Sequence, residues 1–187
     1  SENNVAIGSY TMDSALDGAT HNTAVGDNAL SSITTGDNNV MLGSGTGDGI
    51  TTGSDNVFIG MDAGNQTTDV DKAVIIGSSS ASADMTSGAD GTVGIGYNAL
   101  SALTSGTSNT AIGYQALQEN TTGAYNTAIG HFAMGDTNGI ACSHNTFIGK
   151  SAGGGGFTGS TSDYNVGVGN FTLDGAMNGA NYNSALG

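Results

Sequence analysis

Asn109-Thr110-Ala111-Ile112-Gly113-Tyr114-Gln115-Ala116-Leu117 returns almost letter for letter as Asn126-Thr127-Ala128-Ile129-Gly130-His131-Phe132-Ala133-Met134. Looser copies run from Asn4 to Gly187. We count each copy from its glycine, the anchor. The anchors are Gly8, Gly26, Gly43, Gly60, Gly77, Gly96, Gly113, Gly130, Gly149, Gly169 and Gly187, at intervals of 18, 17, 17, 17, 19, 17, 17, 19, 20 and 18 residues. A short period held this closely, with a few added residues, means one structural coil per repeat and insertions in loops.

Position −1 is always aliphatic: Ile7, Val25, Leu42, Ile59, Ile76, Ile95, Ile112, Ile129, Ile148, Val168 and Leu186. Position −3 is Val, Thr or Ser. Position −4 is Asn4, Asn22, Asn39, Asn56, Asn109, Asn126, Asn145, Asn165 and Asn183, with Ala73 and Thr92 interrupting. A second glycine follows nine to eleven residues after the anchor in every coil but the one from Gly60 to Gly77. Short β-branched runs bounded by glycine are strand and turn signals. Gly, Asn, Thr and Ser disfavour helix throughout. The absence of Pro fits a backbone whose N–H groups are spent on ladder bonds. The expected fold is all-β: a parallel β-solenoid of about ten coils, each of 17 to 20 residues, forming a single domain over residues 1–187. Stacked at a strand spacing of about 4.8 Å it would be a rod roughly 50 Å long. The −4 asparagines would then lie on one another as a polar ladder.

Positions −2 and +4 covary within this one chain. Small −2 goes with large +4 in Ala6/Met12, Ala24/Leu30, Gly94/Leu100, Ala111/Leu117, Ala128/Met134 and Gly167/Leu173. The reverse holds in Met41/Gly47, Phe58/Gly64, Ile75/Ala81 and Phe147/Gly153. Close-packed interiors punish both voids and overpacking, so the two side chains are expected to share one space. Neighbouring residues of a strand face opposite ways. If −2 points inward, −1 and −3 point outward, and the strand is apolar on both faces. The outer face then needs cover, from a loop folded back or from a neighbouring chain. The segments after +5 are mostly Ser, Thr, Gly, Asn and Asp, which favours the neighbouring chain.

The net charge is −14, with Lys72 and Lys150 the only basic side chains besides three His. That balance argues against nucleic acid or an anionic membrane surface as partner. No apolar run is long enough for a transmembrane helix. Few basic residues mean few trypsin sites, which suits an extracellular setting. Cys142 is alone, so no intrachain disulfide is expected. The chain opens Ser1-Glu2 without an initiator Met or signal peptide, as a mature or excised product would. No polar cap is evident at either end, so either more chain has been removed or one molecule's end stacks on the start of the next.

Chemical motifs are sparse. Gly149-Lys150-Ser151 lacks the upstream glycine of a phosphate loop, since His144 stands there. Gly94-Ile95-Gly96-Tyr97-Asn98-Ala99 matches part of a dinucleotide fingerprint, but its glycines belong to the repeat and no helix follows. His131, Cys142 and His144 fall one short of a four-ligand zinc site and read as exposed loop residues. No cofactor is expected, although the 14 Asp admit adventitious calcium, most closely at Asp69-Val70-Asp71. Asp13, Asp27, Asp37, Asp55, Asp62 and Asp84 occupy differing repeat positions, unlike a calcium-binding β-roll. Asn65, Asn120 and Asn170 begin glycosylation triplets. No catalytic set recurs in register, so the chain is not expected to be an enzyme. Gly153 to Asp163 is the most flexible-looking stretch.

The motif Asn-x-Ala-Ile-Gly-x-x-Ala-Leu resembles the head repeats of trimeric autotransporter adhesins of the YadA kind. It resembles still more the "NTAIGYQAL" arrays of phage tail fibres and bacterial surface proteins, most closely over residues 109–134. The resemblance implies a left-handed β-roll, a homotrimer about a common axis, and a place outside the cell, on its surface or on a virion. It implies a role in display or adhesion, and the leading expectation is a structural protein forming an extracellular filament or fibre shaft. Two alternatives remain open: an adhesin head contacting surface glycans, with Tyr97, Tyr114, Tyr125 and Phe132 available, and an ice-binding solenoid using Thr23, Thr110, Thr127 and Thr146.

Overall fold

A computed structural model describes residues 3–157 and 159–187; Ser1, Glu2 and Thr158, which falls in the glycine-rich stretch, lie outside the described residues. Eleven three-residue strands occur in chain order: β1 Val5–Ile7, β2 Thr23–Val25, β3 Val40–Leu42, β4 Val57–Ile59, β5 Val74–Ile76, β6 Val93–Ile95, β7 Thr110–Ile112, β8 Thr127–Ile129, β9 Thr146–Ile148, β10 Val166–Val168 and β11 Ser184–Leu186. Each is parallel to the next, in one sheet ordered β1 to β11. Register is exact to the repeat: Ile95 lies beside Ile112, Ile112 beside Ile129, and Ile129 beside Ile148. This is the expected β-solenoid. A one-turn 3-10 helix, Ser87–Ala89, takes up the insertion before β6.

The anchor explains why glycine recurs. Gly43 sits at φ +140°, and a Cβ built there would stand 2.6 Å from the Gly60 carbonyl oxygen one coil on. Only glycine tolerates both the dihedral and the close approach. Three further positions in each coil, −5, +2 and +4, are left-handed as well, and most of them carry side chains. Tyr125, Phe132 and Met134 are one coil's set, at φ 58°, 55° and 47°. Each such residue costs about 1–3 kcal/mol unless its surroundings hold it.

Side chains at −2 point inward: Ala24, Met41, Phe58, Ile75, Ala111, Ala128 and Phe147 are fully buried. Leu30, Leu100, Leu117 and Met134 at +4 meet them there. The size swap is a shared volume. A Cβ on Gly153 would lie 2.7 Å from the Phe147 ring, one on Gly47 would lie 2.9 Å from Met41 Sδ, and one on Gly64 would enter the Phe58 ring. In the opposite arrangement, a Cβ on Gly94 would lie 3.0 Å from Leu100.

Two polar ladders tie coil to coil. In the first, the Asn126 side chain accepts from the Asn145 backbone N–H at 3.0 Å and its Nδ2 at 3.2 Å. Asn126 Nδ2 in turn donates to Asn109 Oδ1 at 3.1 Å and to the Cys142 carbonyl at 2.8 Å. Asn22, Asn39 and Asn56 repeat this, and so do Asn145 and Asn165. The end members, Asn4 and Asn183, are partly buried. Ala73 and Thr92 break the run, although the Ala73 N–H still donates to Asn56 Oδ1 at 2.9 Å.

The second ladder, at −6, runs the other way. The backbone N–H of Thr20 donates to Asp37, that of Asp37 to Ser54, that of Ser54 to Asp71 and that of Asp71 to Asp90. Ala124, Ser143, Asp163 and Asn181 continue it. Asp37, Asp71, Asp90 and Asp163 therefore share one repeat position. The other ten Asp stand elsewhere in the repeat, and Asp13, Asp27, Asp37, Asp55, Asp62 and Asp84 occupy six different positions.

Candidate self-association face

With −2 inward, alternation turns −1 and −3 outward. The −1 column runs the length of the molecule: Ile7, Val25, Leu42, Ile59, Ile76, Ile95, Ile112, Ile129, Ile148, Val168 and Leu186. No member is buried. Ile7, Leu42, Ile148 and Leu186 are exposed, and the rest are half-buried by neighbours in the column. The −3 column beside it holds Val5, Val40, Val57, Val74, Val93 and Val166, with Thr23, Thr110, Thr127, Thr146 and Ser184. No loop among the described residues folds over this face. The Thr register is interrupted by Val, and the neighbouring column is aliphatic throughout.

No charged residue lies within any of the eleven strands. The acidic side chains of the described residues sit outside the strands, four of them at −6. A chain of net charge −14 thus has an uncharged face two columns wide.

Aromatic rows border it. At −5, Tyr125, His144, Tyr164 and Tyr182 stack with ring centroids 4.9, 4.8 and 5.1 Å apart and planes within 10°. At +1, Tyr97, Tyr114 and His131 stack at 5.3 and 5.1 Å. Lys150 follows in the same row, with its ammonium 5.4 Å from the Phe171 ring. The inner rings, Tyr114, His144 and Tyr164, spend both faces on their neighbours, and the end rings spend one. Phe132 is half-buried, and its ring stands against Gly135.

The remaining candidates fall apart as sites. Cys142 is fully buried, not an exposed loop residue. It occupies −7, a buried column of mostly small residues, and its sulfur accepts from the Ser162 N–H at 3.2 Å. Burial pushes its thiol above the ordinary value, with the Asp163 charge adding to the rise and the Ser162 bond opposing it. His131 and His144 are held in separate aromatic stacks. Asp69 accepts from the Ser87 N–H and Asp71 from the Ser54 N–H, so the Asp69-Val70-Asp71 carboxylates serve different coils. No three metal-ligating side chains gather among the described residues. Asn120 is buried, the Asn65 Oδ1 is buried without a partner, and Asn170 is exposed. Gly149 and Gly96 are anchors at φ +135° and +138°. No pocket opens among the described residues, and no helix there is long and apolar enough to cross a membrane.

These features define a parallel β-solenoid repeat protein with one uncovered apolar face. No protein-family model matches the chain, and neither the curated proteins nor the solved structures compared with it give a match.

Proposed function

We propose that this chain is a structural fibre protein that self-associates through its outward strand face. The carrying observation is the uninterrupted aliphatic −1 column, uncharged on every rung and uncovered by its own chain. Apolar surface of this extent drives association, and contiguous patches of several hundred Å² mark interaction sites. The two columns measure roughly 50 by 10 Å, about 500 Å², the size of patch that marks an interaction site. The occupant is a second copy of the same face. Acidic turns would repel another copy anywhere else, whereas here no charge must be stripped of water. The arrangement we favour is a homotrimer about an axis lined by the −1 column, with trimers stacking head to tail into an extracellular filament or fibre shaft.

Electron microscopy of the purified native protein tests this. Threads or uniform rods are expected. A population of single chains would refute it. The glycan-binding alternative gains less support, because the inner rings of the two rows, Tyr114, His144 and Tyr164, have both faces occupied. A glycan array in which the protein binds, and loses binding in Tyr114→Ala, would favour it instead.

A further inference from the structure

Two of the stacked contacts join tyrosine to tyrosine. Tyr97 and Tyr114 lie on adjacent coils with centroids 5.3 Å apart and planes at 23°, and Tyr164 and Tyr182 at 5.1 Å and 4°. All four rings are exposed. We propose that these pairs are oxidative coupling sites, at which a haem peroxidase with hydrogen peroxide links adjacent coils by dityrosine. The chemistry balances. Each phenol gives up one electron and one proton, and the two radicals join through the ring carbons ortho to the hydroxyls. The hydrogen on each joined carbon then moves to its oxygen, restoring both phenols. One peroxide becomes two waters, and the protein loses two hydrogen atoms.

The repeat does the positioning. Parallel register brings residues 17 and 18 positions apart in sequence into ring contact without any search by the chain. A fixed neighbour outcompetes diffusional encounter because its effective concentration is far above that of a second molecule. Two tyrosines serve as internal controls. Tyr125 stacks on His144. Tyr10 is exposed at position +2 of the first coil, outside both rows.

The test uses the whole chain at low concentration, treated with a haem peroxidase and peroxide and mapped by mass spectrometry. Links at 97–114 and 164–182 are expected on the order of tenfold more often than links to Tyr10 or Tyr125. Tyr114→Phe keeps the stack but should abolish the first link and spare the second; Tyr182→Phe should do the opposite. Mixing heavy-isotope and light chains before oxidation separates links within a chain from links between chains. The proposal is overturned if Tyr10 or Tyr125 couples as readily, if the Phe variants leave the map unchanged, or if mixed-isotope links predominate.

Discussion

Phe147 and Gly153 are the clearest case of one residue dictating another. The ring fills the space that Leu117 fills two coils earlier, where position −2 is Ala111. Phe147→Ala should cost about 3–5 kcal/mol, as large-to-small core changes do. Gly153→Leu should also be destabilising, by overpacking against the ring. The double change rebuilds the Ala111/Leu117 arrangement and should recover most of the loss. Denaturant melts of the four proteins would measure the coupling, and simple additivity would show that the volume is not shared.

Thr67 and Thr137 occupy the interior column that Ile33, Ile50 and Leu103 fill elsewhere, and their hydroxyls are buried without partners. Thr67→Val or Thr137→Val should therefore stabilise by about 1 kcal/mol, the low end of the cost of an unmet buried group. A lower melting temperature would contradict this.

Glu119 concerns pH. Burial first, then the charge of Asp136, hold its carboxyl above the ordinary value, against a bond from the Asn138 N–H. A raised value in the fold means the protonated form is favoured there. Its contribution is complete below the unfolded-chain value and lost as pH rises through the raised one. Glu119→Gln should remove that dependence. The difference in melting temperature between variant and wild type should grow in the variant's favour from acid to neutral pH, and a flat difference would contradict it.

Among the elements, the Asn ladder holds the strained turns in place. Asn126→Ala would leave the N–H and Nδ2 of Asn145 and the Cys142 carbonyl with fewer partners in a dry interior. A loss of about 3–5 kcal/mol is expected from several unmet groups together. Hydrogen exchange should show the Asn145 amide losing protection; full protection in the variant would show that the ladder is dispensable.

The ladder was legible in the sequence because its members share a spacing from the anchor. The −6 ladder was not, since Asp, Ser and Asn serve equally well as acceptors there and no single letter repeats. The burial of Cys142 was missed for a related reason. Counted forward from the preceding anchor, Gly36, Gly53, Gly106 and Gly123 fall at +10 but Cys142 falls at +12, because its coil is two residues longer. Counted back from the following one, Gly36, Gly53, Gly106, Gly123 and Cys142 all fall at −7, and their carbonyls accept the Asn side chains. The left-handed turns at −5 and +2 left no mark, because Tyr, His, Phe, Gln and Ser occupy them alongside Asn and Asp.

For the whole molecule, the size swap places −2 and +4 in one space and −1 on the opposite face of the strand. The structure puts that shared space in the interior and the −1 column outside. The pattern of one chain cannot name what lies against its outer face, because an aliphatic column reads the same whichever apolar surface meets it.

Mass in solution tests that face most directly. Sedimentation equilibrium should compare the wild-type chain with Ile112→Lys/Ile129→Lys, which places two cations mid-column on side chains that point away from the core. The wild type is expected at a multiple of the chain mass, three-fold for the trimer. The variant is expected at the mass of one chain, with unchanged β circular dichroism. A wild type that sediments as a single folded chain, or a variant that associates as the wild type does, would contradict self-association through the −1 column.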